Sequence, residues 1–267
     1  MQIFYYFCSI FRTNMDKISK AQVKLVRSLQ QKKFRDELGL FVAEGDKCVS
    51  ELSKRFELVH LYREGANATP TELEQMSGLR TPQGVIGVFR KAVSPKDGLC
   101  TGRQKDSLIL ALDGIQDPGN LGTIIRTCDW FGVHDIVCSI NTADCYNPKV
   151  VQATMGALTR VRVHYVNLPE WLHSQITNHK SQIAIFGTLL DGKDMYEVLS
   201  DKDQITNHQS PIIVMGNEGN GLSEEVRALI THSIYIPSYP KNVETSESLN
   251  VAIATAIVLA EFRRPLV

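Results

Sequence analysis

The feature that most constrains this chain is a regular alternation of short apolar runs and helix-like segments over its second half. Six runs have the length and composition of buried strands: Leu108–Leu112, Ile136–Val137, Val161–Tyr165, Ile183–Phe186, Pro211–Met215 and Ile234–Ile236. Helical segments are predicted between and after them, at Leu121–Phe131, Val150–Leu158, near Trp171, at Glu224–Ile230 and at Leu249–Phe262. The alternation predicts an α/β fold with a mainly parallel sheet covered on both faces, and ligands at the carboxyl ends of its strands.

A smaller α/β module is predicted ahead of this region. Strand-like runs at 40–43, 58–61 and 85–89 alternate with helical segments at 46–54 and 72–76. Such alternation over about 75 residues is typical of a small domain with its own core.

Composition sets the expected domain boundaries. Residues 94–106 hold a proline, two glycines and scattered charge, which is typical of a linker. We therefore expect domains at 15–93 and 107–267. The segment Met1–Phe11 is almost wholly apolar but too short to span a bilayer, and it lacks the features of a signal peptide. We therefore expect residues 1–14 to be an extension and translation to begin at Met15. The six cysteines lack zinc or redox spacing, so we expect reduced thiols in the cytoplasm, no metal site and no membrane attachment.

Any attraction to nucleic acid has to be local, because 29 basic residues are balanced by 29 acidic ones. Between residues 17 and 35 the chain carries seven basic residues and no acidic one, and its apolar residues fall on one helical face. A solvated helix face and a surface that contacts RNA phosphates both fit this pattern. The RNA-binding candidates are Lys17, Lys20, Lys24, Arg27, Lys32, Lys33 and Arg35.

The first of three polar loops at predicted strand ends runs from Asp113 to Gly122. Pro118 and Gly119 favour turns, and Asn120 stands where the N-cap of the next helix is expected. Arg126 lies six positions further on, close to two helical turns, so both side chains fit on one broad face. Two interpretations are open: a capping residue with an unrelated surface cation, or two parts of one functional site.

The second loop, residues 216–221, reads Gly-Asn-Glu-Gly-Asn-Gly and lies between a predicted strand and a helix capped by Ser223. Its glycines allow a close approach of the backbone to a ligand. Their order differs from that of a dinucleotide-binding loop, and the carboxylate of Glu218 would repel a pyrophosphate. These features argue against a nicotinamide-dependent oxidoreductase and favour a neutral or cationic ligand.

The third loop, residues 246–251, precedes the last helix. We expect Ser248 to be the N-cap, with Asn250 in the first turn. Asn250 is a poor helix former there, and it could simply face solvent. Three polar loops at strand ends of one domain, each with an amide or carboxylate side chain, favour a common functional site.

Together the three loops resemble, in order and context, the motifs of the SpoU (TrmH) family of RNA 2′-O-ribose methyltransferases. The resemblance rests on Asn120 with Arg126, on residues 216–221, and on Ser248-Leu249-Asn250-Val251, and it covers about residues 107–264. The segment Ile18–Lys91 is similar to the substrate-binding domain that many members carry, which resembles a kink-turn-binding ribosomal protein.

The resemblance implies a SPOUT-type catalytic domain with a C-terminal trefoil knot, S-adenosylmethionine as cofactor, and a homodimer with the active site near its interface. The implied cofactor-binding residues are Thr188, Gly216, Asn217, Gly221, Ile236 and Leu249. The segment 237–247 departs from the family pattern, because it is longer and lacks glycine. We expect that departure to affect the shape of the cofactor pocket.

The implied catalytic residues are Arg126, Asn120, Glu218, Ser248 and Asn250. The family proposal has the arginine act on the hydroxyl proton, but a guanidinium with a pKa above about 12 resists deprotonation. We expect Arg126 instead to clamp a phosphate and stabilise the developing alkoxide. Asn120 and Asn250 would position substrate and loops, while Glu218 and Ser248 would hold the arginine or the RNA.

Two alternatives stay open beside ribose methylation of ribosomal or transfer RNA, of which ribosomal RNA is favoured. One is methylation of an RNA base, which the pairing of Asn120 with Arg126 disfavours. The other is a non-catalytic RNA-binding role in ribosome assembly, for which loss of the polar motif residues would be expected.

Overall fold

The computed structural model describes residues 18–92, 108–179, 183–200, 211–240, 243 and 246–264. The chain forms two compact units, residues 1–91 and 92–267. The expected linker 94–106, residues 1–14, Met15 and Lys17 lie outside the described residues. No helix in the described part is long and apolar enough to cross a bilayer.

The first unit contains a three-stranded antiparallel sheet in the order β1-β3-β2. Its elements are α1 (Lys20–Ser28), α2 (Lys32–Leu38), β1 (Leu40–Glu44), α3 (Asp46–Leu52), β2 (Leu58–Arg63), α4 (Pro70–Met76) and β3 (Val85–Arg90). The three predicted strands are confirmed. Helix α4 begins at Pro70 rather than at the predicted Glu72, because Thr69 and Glu72 form a capping box ahead of it.

Arg35 corrects one of the RNA-binding predictions. Its side chain is only 1% exposed, and its guanidinium donates hydrogen bonds of 2.9 Å to the carbonyls of Leu29 and Gln30 at the end of α1. A buried cation that caps a helix cannot reach RNA phosphates, and the favourable position at the negative end of α1 explains its burial. Lys20, Lys24 and Arg27 are exposed, as are Lys32 and Lys33.

The second unit contains a six-stranded sheet in the order β6-β5-β4-β8-β7-β9, with every recorded pairing parallel. Its strands are β4 (Ile109–Leu112), β5 (Asp135–Ser139), β6 (Arg162–Val166), β7 (Ile185–Asp194), β8 (Ile212–Met215) and β9 (His232–Tyr235). Its helices are α5 (Pro118–Trp130), α6 (Pro148–Thr154), α7 (Leu168–His179), α8 (Met195–Ser200), α9 (Glu224–Arg227) and α10 (Val251–Arg263), with a 3-10 turn at Ala157–Thr159. The predicted parallel sheet is confirmed.

The central strands β4 and β8 are buried along their whole length, which explains why they read as continuous apolar runs. Strand β7 is longer than the predicted run that ends at Phe186. Its pairing with β9 is interrupted between Thr188 and Lys193 and then resumes. Gly192 permits this, since a Cβ there would lie 2.6 Å from the carbonyl carbon of Ile234.

Helix α10 is attached to α5 at both ends. At the amino ends, the side chain of Asn250 donates to that of Asn120 at 2.9 Å. At the carboxyl ends, the guanidinium of Arg263 donates to the carbonyls of Phe131 and Gly132 at 2.9 and 3.1 Å. The two helices therefore run parallel, and both begin at the edge of the sheet where the polar loops lie.

An ionic cluster lies at the opposite edge, where β5 and β6 begin, with the Asp135 and His164 side chains mostly buried and that of Arg162 exposed. Asp135 accepts from both sides of the Arg162 guanidinium at 2.7 and 2.6 Å and lies 2.9 Å from His164 Nε2. Burial opposes ionisation of Asp135, but the hydrogen bonds and charges of His164 and Arg162 outweigh it and lower its pKa well below the usual range. The cluster fastens β6 to β5 far from the loops.

The cysteines in the described part of the chain, Cys48, Cys128, Cys138 and Cys145, are buried thiols that form no disulfide with one another. Burial raises the pKa of Cys48 to about 11. Among the described residues there is also no group of three or more His, Cys, Asp or Glu side chains placed to hold a metal ion.

Candidate active site

The loop between β4 and α5 differs from the sequence prediction in where the helix begins. The N-cap of α5 is Asp117, whose carboxylate accepts the backbone N–H of Asn120 at 2.7 Å. Prediction of Asn120 as the N-cap was wrong, because Pro118 has a preset φ and no N–H to satisfy, which suits the first helical position. Asn120 lies within the first turn, so its side chain is available for contacts outside the helix.

The loop before α10 also begins its helix elsewhere than predicted. Asn250, not Ser248, is the N-cap, and its side-chain oxygen accepts from the N–H groups of Ala252 and Ile253 at 2.9 and 3.3 Å. The apolar face decides the register, since Val251 and Ala252 are buried whereas Ser248 is exposed. Asn caps a helix about as well as Ser, and its amide has N–H donors left for another partner.

Three side chains, one from each polar loop, form a continuous hydrogen-bonded chain. Asn250 Nδ2 donates to Asn120 Oδ1 at 2.9 Å, and Asn120 Nδ2 donates to Glu218 Oε1 at 2.9 Å. These residues are 130 and 98 positions apart in sequence, so the chain exists only in the folded domain. The structure thus brings together three of the five predicted catalytic residues.

The other two predicted catalytic residues lie outside this chain. Arg126 is exposed on α5, on the same face as Thr123 and Trp130, and forms no hydrogen bond or ion pair with any residue of the described ranges. Ser248 is exposed two residues before Asn250. Their side chains face solvent, where an RNA or a second subunit can reach them.

Two clamps that the sequence analysis did not anticipate hold the loop at 216–221 against the end of β4. The buried carboxylate of Asp113 accepts both the backbone N–H and the hydroxyl of Ser223, at 2.8 and 2.7 Å. The Asn217 side chain donates to the Gly114 carbonyl at 2.7 Å. Ser223 is the N-cap residue of α9, as predicted, but its hydroxyl donates to Asp113 and its side chain makes no capping hydrogen bond. The one sequence feature that could have predicted the Asp113 clamp is the position of this aspartate directly after a buried strand.

The loop at 216–221 closes on itself. The backbone groups of Asn217 and Gly221 exchange two hydrogen bonds of 2.9 and 3.0 Å, and Gly221 has a φ of +68°. A Cβ on Gly216 would lie 2.4 Å from the carbonyl carbon of Gly221 and 2.6 Å from the nitrogen of Leu222. Glycine at 216 is therefore required by the closure of the loop itself.

The remaining predicted cofactor-binding residues lie in or directly after strands of the sheet, except Leu249, which directly precedes the N-cap of α10. Thr188 lies in β7 beside the end of β8, with its hydroxyl donating to the Val214 carbonyl at 3.3 Å. Ile236 directly follows β9 and is half-buried, while Leu249 is exposed. With Gly216 after β8, these positions share one edge of the sheet.

Comparison with known proteins assigns the second unit to a family. The family model described as the SpoU rRNA methylase family matches residues 107–260, more than half of the chain. The chain belongs to the SpoU rRNA methylase family. In the first unit, residues 20–70 match a model described as an MRM3-like substrate-binding domain.

Relatives of this SpoU-family chain match it over nearly its full length. It is 29% identical to the 23S rRNA (guanosine(2553)-2′-O)-methyltransferase RlmP of Bacillus subtilis, over 93% of this chain and 98% of that protein. The structure of an AdoMet-bound rRNA methyltransferase from Sinorhizobium meliloti is 30% identical, with a TM-score of 0.79 and 94% of this chain covered. This chain covers 98% of the Sinorhizobium meliloti chain. The α/β fold with a parallel sheet is therefore that of SpoU (TrmH) methyltransferases.

The residues at this edge of the sheet suit S-adenosylmethionine in charge. None of the segments 113–122, 216–221 and 246–251 contains lysine or arginine, so nothing there would neutralise a diphosphate. The carboxylate of Glu218 would be compatible with a sulfonium cation, and the apolar side chains of Ile236 and Leu249 with an adenine ring. The donor set of this SpoU-family site fits a cationic cofactor.

Proposed function

We propose that this protein transfers the methyl group of S-adenosylmethionine to a ribose 2′-hydroxyl of structured RNA, with ribosomal RNA favoured over transfer RNA. The observation that carries the proposal is the chain from Asn250 through Asn120 to Glu218, which joins the three family motifs in one place. Relatives named as 23S rRNA 2′-O-methyltransferases, matched over nearly the full length, support the choice of substrate. A solved relative with bound AdoMet supports the choice of cofactor.

The chemistry requires the hydroxyl oxygen and the methyl carbon to be aligned. S-adenosylmethionine supplies the electrophilic methyl on a sulfonium. Gly216, Asn217 and Gly221 would line its site as a preformed loop, because the side chain of Asn217 and the N–H groups of Asn217 and Gly221 are already used to shape that loop. Thr188, Ile236 and Leu249 would complete the pocket.

Arg126 would contact the RNA rather than take its proton. The guanidinium is exposed, without a partner in the described part of the chain, and presents a planar set of donors that fits a phosphate. It would fix the target nucleotide and stabilise negative charge on the ribose oxygen. Ser248, also exposed, would donate to the same nucleotide.

The first unit would bind the RNA through one face of α1 and the start of α2. Lys20, Lys24 and Arg27 are exposed at positions i, i+4 and i+7 of one helix, so their charges lie in a row. Lys32 and Lys33 extend this basic surface. The resemblance of this domain, taken as residues 15–93, to a kink-turn-binding ribosomal protein agrees with such a role.

A homodimer and a C-terminal knot complete the proposal. Up to Ala260, the residues of α10 that are not buried are all apolar, namely Ile253, Ala254, Ala256, Ile257 and Ala260; the partly exposed Glu261 and Arg263 follow in the last turn. Trp130 on the adjacent α5 is 86% exposed. An apolar face of this kind supports burial against a second subunit.

The placement of β8 between β4 and β7, with α10 returning to α5, is compatible with a trefoil knot in residues 107–267 of a cytoplasmic enzyme.

The test is transfer of labelled methyl from S-adenosylmethionine to total RNA that lacks the modification. Wild type should label a 2′-O-methylated nucleoside, and Arg126→Ala should lose that label. Arg227→Ala, which removes an exposed arginine paired with Asp191, is the control and should retain it. Label in a methylated base would favour the alternative of base methylation. Absence of label from a folded, cofactor-binding protein would favour a non-catalytic role in ribosome assembly.

A further inference from the structure

The geometry points to Glu218 as the group that accepts the proton of the ribose 2′-hydroxyl. This inference rests on the proposed function and adds the identity of the proton acceptor. Its starting point is the direction of the hydrogen bonds in the Asn250–Asn120–Glu218 chain, because that direction determines which atoms remain available at the end.

Helix α10 determines the direction of the hydrogen bonds in the Asn250–Asn120–Glu218 chain. The backbone N–H groups of Ala252 and Ile253 both donate to Asn250 Oδ1, so the nitrogen of that amide must face Asn120. Asn120 then presents its oxygen to Asn250 and its nitrogen to Glu218. Neither amide can flip without losing two hydrogen bonds, so Glu218 is offered a donor and is held as an acceptor.

The second carboxylate oxygen of Glu218 remains available. Glu218 is exposed, and its one hydrogen bond within the described residues is the bond from Asn120 to Oε1. It lies in the loop at 216–221, whose glycines let the backbone approach a ligand closely. The carboxylate is therefore held by Asn120 through one oxygen, and its exposed side chain leaves the other oxygen for a ligand.

Among the other acidic side chains of the three polar loops, Glu247 is exposed and makes no hydrogen bond within the described residues that would orient it, whereas Asp113 and Asp117 each have a partner. Asp113 is buried and accepts two hydrogen bonds from Ser223. Asp117 caps α5 by accepting the N–H of Asn120. Arg126 has no lone pair to offer at any ordinary pH. Asp117 also keeps one oxygen free, but it lies in the turn before α5, whereas Glu218 combines an oriented carboxylate and a free oxygen with a place in the glycine-containing loop at 216–221.

The charges also favour this assignment. The ribose oxygen forms a bond to the methyl carbon while the carbon–sulfur bond breaks, and its electron pair stays on sulfur. The hydroxyl proton moves to Glu218, which later releases it to water. A sulfonium and a carboxylate thus become a neutral thioether and a neutral acid, so opposite charges are cancelled in the transition state rather than created. Asn120 and Asn250 act as positioning residues.

The test compares Glu218→Gln and Glu218→Ala in single-turnover methyl transfer with saturating cofactor and RNA. The Gln side chain keeps an oxygen for Asn120 but cannot take a proton, so the rate should fall by about 100-fold or more. Dissociation constants for cofactor and RNA should change by no more than about twofold. Added formate should restore activity to Glu218→Ala in proportion to its concentration, because a small carboxylate fits the space left by the side chain.

Formate should not restore Glu218→Gln, whose amide fills the site. A Glu218→Gln rate within threefold of wild type would overturn the assignment. So would loss of activity in Glu218→Ala without rescue by formate, if both ligands still bind. Failure of the proposed function is a separate outcome, since wild type itself would then produce no 2′-O-methylated nucleoside.

Discussion

Replacement of Gly216 by alanine tests whether closure of the loop at 216–221 creates the cofactor site. The added Cβ would lie 2.4 Å from the carbonyl carbon of Gly221 and 2.6 Å from the nitrogen of Leu222. Both atoms belong to the backbone, so no side-chain rotation relieves the contact. The loop has to open, and the paired backbone groups of Asn217 and Gly221 separate.

The magnitude follows from the cost of overpacking. Forcing a methyl group into closely packed structure costs about 1–3 kcal/mol, and a rigid backbone places the cost in the upper half of that range. About 2–3 kcal/mol corresponds to roughly 30-fold to 140-fold weaker binding of S-adenosylmethionine, if the open loop cannot hold it. Isothermal titration calorimetry with the purified protein measures this directly.

Gly219→Ala is the matched control within the same loop. A Cβ there would meet only the side-chain oxygen of Asn217, at 3.5 Å, which is an ordinary contact. Its cost should stay below about 0.5 kcal/mol, or roughly twofold in affinity. The reasoning is refuted if Gly216→Ala binds the cofactor within twofold of wild type, or if both variants lose affinity equally.

Two further predictions concern the edges of the molecule. Asp135→Asn should lower the free energy of unfolding at pH 7 by about 2 kcal/mol, because it breaks a largely buried ionic cluster. Since the pKa of Asp135 is lowered by folding, its contribution is present above the unfolded carboxyl pKa of about 4 and is lost as pH falls through the folded value. Urea unfolding from pH 7 down to pH 3 should therefore show a flatter decline in the variant than in wild type; parallel curves would contradict this. Joint replacement of Lys20, Lys24 and Arg27 by glutamine should reduce the slope of log affinity against log salt by about 2, measured by fluorescence anisotropy with RNA, and an unchanged slope would exclude these residues from the interface.

The parallel sheet and the gathering of the polar loops could be predicted from sequence. Strands buried on both faces have to be apolar throughout, so β4 and β8 were recognisable without an alternating pattern. Parallel strands bring their carboxyl ends to one edge, so loops that follow different strands meet there. This placed Asn120, Glu218 and Asn250 in one region before any distance was known.

The helix starts and the supporting contacts could not be predicted in the same way. Several residues near each start are good N-caps, and the choice of Asp117 and Asn250 depended on a proline and on which residues the core buries. Arg35 reads as a surface cation because arginine is rarely fully buried. Its partners are backbone carbonyls, which leave no trace in the side-chain pattern. The Asp113 clamp joins residues 110 positions apart.

The double attachment of α10 to α5 has a consequence for the order in which the protein becomes active. A ribosome completes the segments containing Asn120 and Glu218 well before it reaches residues 250–263. Until then Asn120 lacks the donor that fixes its amide, and the far end of α5 lacks the guanidinium of Arg263. A nascent chain that ends before this helix can carry every motif residue up to Ser248 and still have no oriented carboxylate. Methyl transfer is thereby reserved for the finished domain, and truncated products are expected to be inert.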